Sequence, residues 1–142
     1  CAMSARHPIV DTNVVVAGLL TRTAGSPVAR ILDGMVLARF AFALSEPLLA
    51  EYRAVLLRPH IRARHRLAAD EIDTLLTDLA EHAMIITAPP SPQPAPDPKD
   101  QMLWDLLATH SDLVLITGDA RLLEASDAPG PVWTPAQWMA EN

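Results

Sequence analysis

Leu113-Val114-Leu115-Ile116 is a run of four aliphatic residues that stops at Thr117-Gly118-Asp119. A strand with one face in water alternates apolar and polar residues, whereas one that is apolar throughout must be covered on both faces, as strands of parallel sheets are. Pro8–Val16 is a β-branched run interrupted by Asp11, Thr12 and Asn13, and reads as a buried strand that gives way to a functional loop. Asp11 then stands at the strand's end. Between and beyond these runs lie helix signatures. Ser26-Pro27 supplies an N-cap and an N1 proline before Val28, Ile31, Leu32 and Met35, and Ser45-Glu46-Pro47 opens a helix whose apolar face includes Leu48, Leu49, Tyr52, Val55 and Leu56, with Glu51 beside it. Asp70 and Asp73 begin a third helix, Asp97-Pro98 a fourth that runs to about His110, Ala120 a short one, and Thr134-Pro135-Ala136-Gln137 a terminal one with a capping-box pattern. Further strands are expected at Arg39–Leu44, Met84–Thr87 and near Val132-Trp133. Strands alternating with helices predict an α/β chain: a three-layer α/β/α sandwich around a central parallel sheet of about five strands.

With 142 residues the whole chain, 1–142, reads as one domain around one core. Residues 1–6 are expected to be disordered or an addition, with Met3 a candidate native start that would leave Cys1 and Ala2 ahead of it. Six of the 13 prolines fall within 88–98. Segment 88–97 therefore reads as a stiff surface connection, since too little chain follows for a second core. Cys1 is the single cysteine, which excludes a disulfide framework or a cysteine zinc site. No apolar stretch suits a membrane span and no secretory leader is visible, so the expected compartment is the reducing cytoplasm, with no membrane partner. A net charge of -6 excludes a general polyanion binder, so any phosphate must be held locally.

In open parallel sheets, ligands bind beyond the carboxyl ends of the strands, near the point where strand order reverses. Asp11 and Asp119 both fall at carboxyl ends, Glu51 lies on a helix and Asp100 in the first turn of another. Carboxylates gathered in one crevice must either bind protons or hold a cation, and Mg²⁺ or Mn²⁺ takes oxygen ligands together with substrate phosphate oxygens. That combination points to phosphoryl chemistry. Structural roles compete for the same residues. Asp119 after Gly118 suits an N-cap, the helix dipole alone favours Asp100, Glu51 could pair with Arg58 in solvent, and Asp97 before Pro98 reads first as a cap. A haloacid-dehalogenase-type phosphatase would need an aspartate where Asn13 stands, and a receiver domain a late lysine where the chain has only Lys99, ahead of the last long strand. His7, His82 and His110 lack ligand spacing, and Trp104, Trp133 and Trp138 read as core or interface.

Val10-Asp11-Thr12-Asn13, Ser45-Glu46-x-Leu48-Leu49-x-Glu51, Asp97-x-x-Asp100 and Thr117-Gly118-Asp119, in this order from Ile9 to about Trp138, resemble the PIN-domain ribonucleases. The likeness is to the branch described as toxin components of bacterial toxin–antitoxin pairs. It implies a PIN-like fold and metal-dependent endonucleolytic hydrolysis of phosphodiesters in single-stranded RNA, with one or two Mg²⁺ or Mn²⁺ ions activating water. Position by position it implies Asp11, Glu51, Asp100 and Asp119 as the catalytic and metal-holding acids, Thr12, Asn13 and Thr117 as small polar supports, and Asp97 as an upstream acid. An antitoxin protein and a homodimer are the partners it implies besides RNA. Lys99-Asp100-Gln101 departs from the run of acids common in this branch, which implies less negative charge around the metal. Arg53–Arg66 holds five of the 11 Lys and Arg residues and no acid. Arg53, Arg58 and Arg62 are candidates for RNA phosphate, while a solvated helix end and loop, or a surface for an acidic peptide, would use the same charges. A non-catalytic RNA- or protein-binding module is the alternative to the nuclease.

Overall fold

Five parallel strands form one sheet in the computed structural model, which describes residues 6–141. Of the stretch 1–6, residues 1–5 lie outside the described residues. Arg6 is part of the fold, its guanidinium 5.7 Å from the centre of the Trp133 ring. The strands are β1 (His7–Val10), β2 (Ala43–Leu44), β3 (Met84–Ile85), β4 (Leu113–Ile116) and β5 (Val132–Trp133), in the order β3-β2-β1-β4-β5. β4 is the aliphatic run itself and all four of its residues are buried, as a central parallel strand requires. It pairs with β1 in a register that sets Val10 opposite Ile116.

Eight helices and one 3₁₀ turn are described: α1 (Thr12–Leu20), α2 (Pro27–Val36), α3 (Glu46–Leu56), α4 (Pro59–His65), α5 (Ala69–His82), the 3₁₀ turn Pro98–Asp100 running into α6 (Gln101–Leu107), α7 (Ala120–Leu123) and α8 (Pro135–Glu141). α1 packs on α2 and α3, α5 on the same two, α6 on β1 and β4, and α7 on β5, giving an α/β sandwich. Caps form where the sequence places them. Ser26 and Ser45 accept from the backbone N–H groups of Ala29 and Leu48, and Thr134 and Gln137 bond each other's backbone N–H reciprocally at 2.7 and 3.1 Å.

Three expectations need correction. Val14–Val16 is helix α1 rather than strand or loop, because Val14 and Val15 enter the core from a helix that Asp11 caps, and that burial outweighs their β-branched preference. The expected strand Arg39–Leu44 shrinks to Ala43–Leu44. Its first half is spent reversing the chain after α2, with Ala38 at φ 55° and Arg39 N–H donating to Gly34 O at 2.8 Å. The Arg53–Arg66 segment contains α4, which buries no side chain and is tied down through His65, whose Nε2 lies 2.9 Å from Leu56 O. The core holds Trp104, Tyr52 and Phe42 with the strand aliphatics, and among the described residues no helix is long and apolar enough to cross a membrane.

Candidate functional site

β2 and β3 lie on one side of β1 while β4 and β5 lie on the other, so strand order reverses between β1 and β4. At their carboxyl ends the register brings residues 11 and 117 level, and Asp11 N–H donates to Ile116 O at 2.9 Å. Asp11 is only 5% exposed. One oxygen of its carboxylate accepts from Thr12 N–H at 2.7 Å, and the other accepts from Thr117 Oγ1 at 2.8 Å and Asn13 Nδ2 at 3.1 Å. Burial pushes its pKa up to about 6. The Thr117 hydroxyl offsets part of this, while the charges of Asp100 and Glu51 add to it.

Thr117 and Asn13 tie the two strand ends together. The Thr117 hydroxyl donates to Asp11 and accepts from Asp119 N–H at 3.0 Å, and Asn13 Oδ1 accepts from Gly118 N–H at 3.1 Å. Asp119 caps α7, accepting from Arg121 N–H at 2.9 Å, and its second oxygen lies 3.5 Å from the Arg121 guanidinium. Asp97 caps the 3₁₀ turn through Lys99 N–H and stands 3.7 Å from the same guanidinium. Capping and site membership are thus compatible, since a cap occupies one oxygen and leaves the other, here beside Arg121, which also lines the cleft. Glu51 reaches over from α3 and accepts from the Thr12 hydroxyl. Asp100 is half-buried, and its pKa is raised by burial first and then by Asp119, Asp97 and Glu51, with Arg121 offsetting part.

Asp11, Thr12, Asn13, Glu51, Asp97, Asp100 and Asp119 all line one cleft of about 750 Å³, with Thr117 behind its wall. Of the arginines proposed for RNA, Arg58 lines the cleft. Arg53 is turned to α5, where Nε bonds Asp73 at 2.7 Å and the pair lines a separate groove. Arg62 does not line the cleft, but Arg64, two residues on, does. Sequence reasoning passed over Arg121, took Arg64 only as one of the five arginines of its segment, and took Lys99 only as a departure from a run of acids. For Arg121 a signal existed, because a residue two positions after an N-cap sits in the first turn beside the capping carboxylate. Gln101, where the resemblance leads one to expect an acid, turns away from the cleft. Its amide holds the proline-rich segment by accepting from Ala95 N–H at 2.8 Å and donating to Gln93 O at 3.0 Å. The charge that softens the acidic site is therefore that of Lys99 and Arg121.

The donor set is all oxygen, which suits Mg²⁺ or Mn²⁺ and not a soft metal. Among the described residues no three acids, imidazoles or thiols are drawn close enough to form a finished metal cage. The fit to a cation rests instead on Asp11, a buried carboxylate with a raised pKa and two more acids acting on it, the condition that bound positive charge relieves. A family model described as PIN domain matches residues 8–121, a span that includes every acid of the cleft. No curated protein and no solved structure matches the chain.

Proposed function

We propose that this chain, which belongs to the PIN domain family and has its nuclease-type fold, is a divalent-metal-dependent endoribonuclease acting on single-stranded RNA. One observation carries the reading. Asp11, Glu51, Asp100 and Asp119 come from four different elements and line a single cleft where strand order reverses. We assign Asp11 and Asp119 as the principal ligands of one or two Mg²⁺ or Mn²⁺ ions, with Asp100 completing the set. Glu51 holds metal or orients the attacking water. When bound, such an ion neutralises phosphate charge, makes water a better nucleophile at neutral pH and steadies the leaving oxygen.

The protein's own part is positioning. Three hydrogen bonds fix the Asp11 carboxylate before any substrate arrives, and the Thr12 hydroxyl fixes Glu51. Asn13 and Thr117 hold the loop that carries Asp119 against the start of α1. The family resemblance supports a further step, that the chain is the cytoplasmic toxin of a toxin–antitoxin pair, acting as a homodimer and restrained by an antitoxin protein.

The test is cleavage of single-stranded RNA by the purified protein with Mg²⁺ or Mn²⁺, beside Asp11→Asn and a chelated control. Cleavage that falls at least about 100-fold in the variant and vanishes on chelation supports the nuclease, a loss typical of removing one group that stabilises charge in the transition state. No cleavage of any RNA by folded, metal-supplied protein refutes it and leaves the binding module. For the toxin step, expression should arrest growth, the product of a neighbouring gene should relieve the arrest, and Asp11→Asn should not cause it.

A further inference from the structure

The acids occupy only part of the cleft. From them it continues along one face of α1, past Val16 and Ala17 to Leu20, and along α3 past Val55 to Arg58, with Arg64 of α4 closing that side. Both helices start from the carboxyl edge of neighbouring parallel strands, capped by Asp11 and Ser45, and α4 packs against both of them. Glu51 to Leu56, where α3 ends, is about 7.5 Å at 1.5 Å per residue, and Arg58 follows two residues on as the N-cap of α4. The cleft has an acidic half, an apolar floor of about one helical turn, and a basic end. Among the described residues neither Arg58 nor Arg64 has an acidic partner, unlike Arg53, which Asp73 occupies, or Arg121, which Asp97 and Asp119 hold. Free guanidiniums at one end of a trough whose other end is negative suit a phosphate carried at a set distance from the metal-holding acids. The floor adds a second requirement. Val16, Ala17, Leu20 and Val55 offer apolar contact to bases, which a duplex keeps stacked inside and only an unpaired strand can turn outward.

We propose that the trough between α1 and α3 is a substrate subsite in which Arg58 and Arg64 hold two backbone phosphates of one unpaired RNA strand, beside the bond that the acids attack. The inference rests on the nuclease reading for the identity of that bond, but its test reads binding alone.

Anisotropy of a labelled single-stranded RNA of about ten nucleotides is titrated with protein in chelator across a salt series, so that cleavage plays no part. The double variant Arg58→Gln/Arg64→Gln is expected to bind at least about tenfold more weakly at low salt. Its slope of log affinity against log salt should be shallower by about 1.4, the contribution of two phosphates on a single strand. Arg39→Gln, which loses one of the same charges in a pocket with Phe40 and Met139 away from the cleft, should leave both quantities near wild type. A hairpin duplex of equal length should bind more weakly than the open strand. Unchanged affinity and slope in the double variant, or an equal loss per charge in Arg39→Gln, overturns the subsite, and equal binding of the duplex overturns its preference for an unpaired strand. The two readings fail separately. A wild type that cleaves RNA while the double variant binds normally removes the subsite alone, and a wild type that never cleaves while the double variant loses binding removes the nuclease alone.

Discussion

Asp11 concentrates the electrostatic cost of the site in one side chain. Its pKa rises from 3.8 to about 6 on folding, chiefly because it is buried. The folded chain thus holds that proton more tightly than the unfolded one, and stability falls as pH rises through the window from about 4 to 6. Below the window both states are protonated and the group contributes nothing. Above it the full penalty applies, about 3 kcal/mol at 1.36 kcal/mol per pKa unit. Asp11→Asn keeps the shape and removes the charge. In chelator, denaturant titrations should find the variant close to wild type near pH 4 and more stable by about 3 kcal/mol at pH 7, the excess opening across the same window. A difference that stays flat with pH would place the penalty elsewhere. Thr117→Val tests the opposing contribution. It removes the hydroxyl that donates to Asp11 and accepts from Asp119 N–H, at a cost of about 1–3 kcal/mol for the groups left unpaired. Without that donor the carboxylate ionises at higher pH, so the acid limb of the cleavage profile should move upward.

α1 shows how far the elements could be read in advance. Capping residues act within a few positions of themselves, so Ser26, Ser45, Asp97 and Thr134 marked their helix starts correctly. Val14, Val15 and Val16 carry a β-branched signal that only the burial of one helical face overrides, and nothing local announces that face. α4 has no apolar periodicity to find, since no side chain of it is fully buried and it is held by Ile61, which packs on the core, and by His65 reaching back to α3. Gly18 explains part of what holds α1 in place. A Cβ there would stand 2.6 Å from Val28 O and 3.0 Å from Leu32 Cβ, so the helix needs a glycine to lie this close to α2. Gly18→Ala should therefore destabilise by about 1–3 kcal/mol, as overpacking does, although alanine is the better helix former. Because α1 also carries Thr12 and Asn13, cleavage should fall by more than the lost folded population explains, measured at a temperature where the variant remains folded. The proline-rich segment behaves in a comparable way. Gln101 and Asp105 hold it to α6, Asp105 accepting from Ser91 N–H at 2.8 Å, just before Asp97 and Asp100 enter the cleft.

At the scale of the whole molecule, the sheet supplied the legible half of the site. Asp11 and Asp119 could be placed because a parallel strand's carboxyl end follows from its aliphatic run and strand order reverses at one point. The residues that needed three dimensions were the cations, since a run of five arginines in fourteen positions does not say which face the cleft, and a net charge of -6 says nothing of where each cation lies. An acidic molecule with a buried, destabilising carboxylate should be stabilised by the ion it binds, and protons should compete with that ion. With free Mn²⁺ at 100 times its dissociation constant at pH 7.5, binding adds about 2.7 kcal/mol by mass action. For a chain of this length that corresponds to a rise of roughly 9 °C in Tm. At pH 5, one unit below the Asp11 pKa, displacing the proton weakens binding about tenfold, and the same Mn²⁺ adds about 1.4 kcal/mol. Asp100, whose pKa is also raised, acts in the same direction. Thermal unfolding with and without Mn²⁺ should therefore show the increment halved or less on going from pH 7.5 to pH 5. In Asp11→Asn it should be small at both. An increment that is equal at the two pH values in wild type would mean that the ion binds away from Asp11, and the assignment of the acidic cleft as the metal site would fall with it.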